Sequence, residues 1–150
     1  MGIVSDPSPE GLRPNPPPAY FWAVGLLSLL WNVWGAYIAL SAQSGSLPAL
    51  RAEDQAYFDS QPLWFVLLGD AALLAGIAGA MALLLQHRSA VMLYAAMLVT
   101  IVLANFYDLA RGTSPMLTVP GALVGSLILF AIMGLQVWFA HRMRRRGVLE

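Results

Sequence analysis

The sequence predicts an all-α membrane protein: an antiparallel four-transmembrane-helix bundle with a short amphipathic surface helix between helices 1 and 2. Three observations carry this. Of the 150 residues, 59% are hydrophobic and only 11% are charged, whereas a soluble domain carries roughly 25% charged residues. Four apolar runs are each long enough to cross a ~30 Å hydrocarbon core, which takes ~20 helical residues. None of them alternates as a barrel strand would, and within lipid every backbone donor must be satisfied internally, which leaves the helix as the element that fits.

Residues 1–19, "MGIVSDPSPEGLRPNPPPA", hold six of the ten prolines. Proline lacks the backbone donor and blocks a helix interior, so a disordered, Pro-rich arm is expected. Arg13 is the only basic residue there, and the apolar run that follows is too long for a signal-peptide core, so an uncleaved anchor is expected. The four spans run from about Tyr20 to Ala42, Pro62 to Gln86, Ser89 to Leu109 and Val119 to Ala140. They make up a transmembrane domain over 20–141, followed by a basic tail over 142–150.

The connections are also informative. "QHRS", residues 86–89, is a tight hairpin that makes the second and third spans antiparallel neighbours. The link over 43–61 contains Ser46 as a helix cap, Pro48 for a first turn, then Glu53 and Asp54. Leu47, Leu50, Tyr57 and Phe58 follow at near-helical spacing, which predicts the amphipathic surface helix, with a disordered loop as the alternative. "RGTSPMLTVP", residues 111–120, is a polar turn before the last span.

Arginine placement sets the orientation. Arg13, Arg88, Arg142, Arg144, Arg145 and Arg146 collect on one side, and Arg51 and Arg111 on the other. The positive-inside rule then puts both termini in the cytoplasm, with Arg88 and the C-terminal arginines as topology anchors. A net charge of zero gives no electrostatic case for nucleic acid. The absence of cysteine excludes disulfides, thiolate metal sites and cysteine nucleophiles. His87 and His141 stand beside arginines at helix ends, as solvated interfacial residues.

The candidate site follows from depth, at ~1.5 Å of rise per residue. Asn32 lies ~18 Å in from the cytoplasmic end of the first span, and Asp70 ~12 Å from the opposite face on the second. In a ~30 Å core these levels coincide. An acidic side chain facing lipid at mid-membrane is costly, so Asp70 is expected to point inward, protonated or clamped. Its expected partner is Asn32, in an interhelical hydrogen bond worth about 0.6–2 kcal/mol. Asn105, Asp108 and Arg111 step outward from there, with Trp31, Trp34, Tyr37 and Trp64 beside them. The whole set forms a candidate ligand or proton site. Small residues mark packing faces: Ala72, Gly76 and Ala80; Ala71, Ala75 and Gly79; and the Gly121–Gly125 pair. Gly134 and Gln136 suggest a further close contact.

The sequence carries no phosphate-binding loop, dinucleotide fingerprint, zinc-protease motif or nucleophile elbow. No catalytic residue, metal ligand set or cofactor is expected. "PAYFWAVGLLSLLWNVWGAY" (18–37), "AYFDSQPLW" (56–64), "GIAG", "YDL" (107–109) and the terminal "RMRRRGVL" resemble a family of small four-helix inner-membrane proteins of proteobacteria. Its members often carry the label "sugar transporter". The resemblance covers most of the chain after residue 17 and implies the same topology. Members frequently have an acidic residue shortly after the glycine of the first helix, where this chain has "AYIAL".

Three functions are compatible with these features. The first is a non-catalytic accessory or scaffold subunit that packs against other membrane helices, or against itself, through its small-residue faces. The second is a small-molecule or proton-coupled transporter, acting as a homo-oligomer through Asp70. The third is lipid or quinone binding in a Trp-lined outer pocket.

Overall fold

A computed structural model of the chain describes residues 16–46, 52–114 and 121–150. The described residues form five helices: α1 (Ala19–Gln43), α2 (Ala52–Asp59), α3 (Leu63–Leu84), α4 (Ser89–Arg111) and α5 (Ala122–Arg145). The helices α1, α3, α4 and α5 are long and apolar enough to span a membrane, and α2 is the short helix between the first two. The fold is thus the expected antiparallel bundle, and the chain is a multi-pass membrane protein. Residues 1–15, Leu47, Pro48 and Leu50 lie outside the described residues, as does most of the link before α5.

Proline sets two of the starts. Pro18 (φ −64°, ψ 152°) and Pro62 (φ −69°, ψ 145°) hold the chain extended immediately before α1 and α3, where the missing donor costs nothing because the first N–H groups of a helix are unpaired anyway. Ser46, expected to cap α2, turns back on α1 instead, and its N–H and hydroxyl both reach the Ser41 carbonyl (3.0 and 3.2 Å). The hairpin after α3 turns at Gln86, whose φ of 57° is left-handed, and His87 N–H closes the turn on the Ala82 carbonyl (2.8 Å).

Residues 142–150 are not a separate basic tail. The last helix continues through Arg145, because residues 135–146 contain neither glycine nor proline. Gly147 (φ 70°) then reverses the chain and lets Val148 N–H reach the Met143 carbonyl (3.1 Å). Val148 and Leu149 are buried, and the Glu150 backbone pairs with the hairpin, donating to Gln86 O (2.8 Å) and accepting from Arg88 N–H (2.7 Å). The positively charged end of the bundle is therefore tied together.

Packing runs in the order α1–α3–α4–α5. Small residues on α3 make the close approaches, as membrane bundles require in the absence of a hydrophobic driving force. A Cβ at Gly76 would lie under 3.0 Å from Asn32 and Met97, and Gly79 seats the ring of Tyr94. Gly25, not singled out in the sequence, meets Leu84 in the same way. By contrast, Gly121, Gly125 and Gly134 have nothing within 4 Å where a Cβ would be. Such a pair can serve packing within the bundle or against a partner helix; the first is not realised here, nor is the close contact at Gly134.

The remaining seam, between α5 and α1, is joined by side chains at the end carrying the termini. Phe139 lies 6.2 Å from the ring of Phe21 and 6.3 Å from that of Tyr20, and Arg146 donates to Tyr20 Oη (2.7 Å). Tyr20, Trp22 and Trp138 are exposed there, as an interfacial aromatic belt would be.

Candidate functional site

The predicted polar ladder divides into separate sites. Asn32 and Asp70 do not meet. Asn32 faces Gly76, and Asp70 lies six residues from Gly76 toward the α2 end, about 9 Å along the helix. The expected coincidence counted each helix inward from the membrane surface, whereas the register is set by the glycine contacts of α3 with α1. Asn32 donates from Nδ2 to the Ser28 carbonyl one turn earlier (2.8 Å). Asp70 is half-buried and accepts instead from Gln43 Nε2 (2.9 Å), at the last residue of α1. Asn105 bonds back to the Ile101 carbonyl (2.8 Å).

The aromatic residues fall into separate groups, with Trp31 lining the seam between α1 and α5. Trp34 and Tyr37 are 61% and 59% exposed and pack against each other at 5.7 Å on the outside of α1. Trp64 packs on Tyr107 (5.0 Å), and the Arg111 guanidinium lies 5.4 Å from the same tyrosine ring.

Asp108 forms a site of its own. It is buried at the end of α4, where Gly112 (φ 69°) turns the chain so that Thr113 N–H reaches the Asp108 carbonyl (3.1 Å). Its carboxylate accepts from the Tyr57 hydroxyl of α2, and from Gln61 Nε2 (3.4 Å) and Thr113 Oγ1 (3.3 Å). Arg111 reaches Gln61 Oε1 (3.4 Å). The cluster fastens α2 to α4. Burial, and then the adjacent Asp108 carboxylate, push the Tyr57 hydroxyl well above its ordinary pKa of 10.0, while Arg111 pulls it down. Because the folded value is raised, the stabilisation is complete below pH 10 and is lost as pH rises through the folded value. Hydrogen exchange in α2 is expected to be steady from pH 7 to about 10, after correction for intrinsic rate, and to accelerate beyond it. Tyr57→Phe should remove that upward break; an unchanged break in the variant would refute the assignment.

A third cluster lies toward the end carrying the termini. Ser28 on α1, Tyr94 on α4 and Gln136 on α5 meet there. Ser28 Oγ and Tyr94 Oη are 2.6 Å apart, and Gln136 Nε2 donates to Ser28 Oγ (2.9 Å). The helix faces explain the meeting. Phe21, Gly25, Ser28, Asn32 and Ala36 recur at three- and four-residue spacing on the buried face of α1, while Leu26, Leu27, Leu30 and Val33 point outward. Tyr94 is fully buried because Gly79 leaves room for its ring.

These three residues are among those lining a cavity of about 400 Å³ along the seam between α1 and α5, whose surface is almost wholly apolar. Val24, Leu27, Trp31, Ile132, Leu135 and Trp138 contribute apolar walls, and Leu27, Leu135 and Trp138 are exposed on the outside of the bundle. The opening therefore faces lipid rather than water. Gln136 Oε1 is buried without a hydrogen-bond partner. In a low-dielectric setting an unpaired buried acceptor is costly. Sequence reading noted Trp31 and Gln136 but missed Ser28 and Tyr94; the small-and-polar face of α1 was the available signal.

No family model, curated protein or solved structure matches the chain. The functional reading rests on the geometry of these clusters.

Proposed function

We propose that this multi-pass membrane protein holds a lipophilic molecule in the groove between α1 and α5 and makes or breaks no bond in it. The observation that carries the reading is the Ser28–Tyr94–Gln136 cluster, set in the wall of an apolar cavity of about 400 Å³ that opens toward lipid. Ligand sites have this composition: mostly apolar walls, a few convergent polar groups and a volume of about 300–1,000 Å³. On this reading lipid or quinone binding takes place in this groove. The test is native mass spectrometry after gentle extraction. The wild-type protein should carry a small lipophile, and Leu135→Trp, which places an indole across the opening, should lose it. Equal retention by both would refute the reading.

A second reading, an accessory subunit packing against other membrane helices, is supported by the open backbone at Gly121 and Gly125. It predicts that the extracted protein carries another polypeptide, lost in Gly125→Leu. Both readings place the chain in a bacterial inner membrane with cytoplasmic termini. Support comes from the resemblance to small proteobacterial membrane proteins and from the clustering of Arg88, Arg142, Arg144, Arg145 and Arg146 at one end of the bundle. A C-terminal reporter active only outside the cytoplasm should stay silent; activity would reverse the orientation.

A further inference from the structure

We infer that the groove holds an amphiphile with one alkyl chain and an anionic head, the chain lying in the seam between α1 and α5 and the head among Arg142, Arg145 and His141. The inference rests on the proposed binding function and deepens it by naming the ligand's chemistry.

At the end carrying the termini, the apolar cavity adjoins a second one of about 330 Å³, lined by Trp138, His141, Arg142, Arg145 and Arg146. Trp138 lines both. Leu135, Trp138, Arg142 and Arg145 follow at intervals of three, four and three residues, so one face of α5 passes from apolar to cationic. The step from Leu135 to Arg142 is about 10 Å of helix. An alkyl chain ending in a charged head presents the same order of surfaces.

The charges are placed for an anion. The Arg142 guanidinium is held 5.1 Å from the centre of the Trp138 ring, and Arg146 is anchored across the seam on Tyr20 Oη of α1 (2.7 Å). Neither Arg142 nor Arg145 makes a hydrogen bond or ion pair with a described residue. No carboxylate is among the described residues lining this pocket, so a zwitterionic head would bring its ammonium among guanidiniums. A guanidinium offers paired N–H donors that match a carboxylate or a phosphate. The cavity in the seam needs no polar contact from its occupant, because its surface is almost wholly apolar. At about 400 Å³ it stands near the lower end of small-molecule sites and takes a single chain. Long-chain carboxylates and alkyl phosphates share this chemistry.

The test uses a variant with Trp22, Trp34 and Trp64 replaced by phenylalanine, so that Trp31 and Trp138, both lining the groove, report alone. In lipid nanodiscs at pH 9, above the ordinary carboxylate range, quenching by dibromostearate is compared with quenching by its uncharged methyl ester. The acid should quench saturably with about tenfold tighter half-saturation, as expected where arginines attract an anionic head. Arg142→Gln combined with Arg145→Gln should bring the two probes level; both side chains are exposed, and glutamine is a good helix former. Arg144→Gln removes a charge at the same end but outside the pocket lining, and should leave the ratio unchanged. Displacement by oleate at lower concentration than by dodecyl phosphate assigns a carboxylate head, and the reverse a phosphate head; either supports the inference. Displacement by dioleoyl phosphatidylglycerol at the same concentration would make the occupant an ordinary bilayer lipid, and displacement by inorganic phosphate a free anion; both overturn it. An equal loss of preference in Arg144→Gln overturns it as diffuse attraction. Equal saturable quenching by acid and ester also overturns it while leaving the groove as a lipophile site. The absence of saturable quenching by either probe overturns the groove reading itself.

Discussion

Gly76→Leu should abolish the folded bundle, and even Gly76→Ala should destabilise it by about 1–3 kcal/mol, the usual cost of forcing extra volume into a packed core. A Cβ there would meet the Asn32 amide and Met97 Sδ at under 3.0 Å. The methionine is flexible and can give way. Asn32 is short and is held by its bond to the Ser28 carbonyl (2.8 Å), so moving it breaks that bond beside the polar cluster. α3 lies between α1 and α4 in the packing order, so a misfit at Gly76 pushes on both. Gly125→Ala is the matched control: it adds the same methyl group on a helix where nothing lies within 4 Å. Its effect should stay within about 0.5 kcal/mol. Thermal unfolding in detergent, followed by helical circular dichroism, separates the two. Equal melting of Gly76→Ala and wild type would show that the α1–α3 register is not set here.

Asp108→Ala should release α2 from the bundle while leaving the four spans folded. The substitution strips the acceptor from the Tyr57 hydroxyl and Gln61 Nε2 at once, and leaves Thr113 Oγ1 only its contact with the Asp108 carbonyl (3.4 Å). Hydrogen bonds to a charged group contribute about 1.5–3 kcal/mol each, although their losses do not add. A net loss of about 2 kcal/mol corresponds to roughly thirty-fold faster hydrogen exchange across α2. Asp108→Asn keeps an acceptor and should show a smaller change. Exchange in α3 and α5 should stay at the wild-type rate in both variants. Uniform acceleration throughout the chain would mean that Asp108 supports the whole bundle and not α2 alone.

The architecture was legible because membrane solvent leaves so few choices. Apolar runs of spanning length and prolines ahead of the first two spans sufficed to place the helices to within a few residues, apart from the C-terminal end of α5. Side-chain partnerships were harder, because they depend on register and rotation, which depth counting does not supply. Asp70 looked like a partner for Asn32, but the glycine contacts of α3 carry it about 9 Å past that residue, to Gln43 at the end of α1. The groove cluster joins residues 28, 94 and 136, which no local pattern connects. A hint was present in α1, where the small and polar residues share one face and the large apolar ones face outward, the arrangement expected when small residues make the helix contacts. The Gly121–Gly125 pair gave the opposite lesson, since small-residue spacing permits a close approach without requiring one.

The central claim is that a small lipophile, and not another helix, fills the seam between α1 and α5. A photoreactive benzoylphenylalanine at Leu135, on the exposed rim of the groove, tests it in native membranes. The same residue at Leu127, also exposed on α5 but away from the groove lining, reports the lipid background. Illumination should give one small-molecule adduct on the peptide containing residue 135 and none of that mass at 127. A cross-link from 135 to a second polypeptide, or the same phospholipid adducts at equal yield from both positions, would contradict the account.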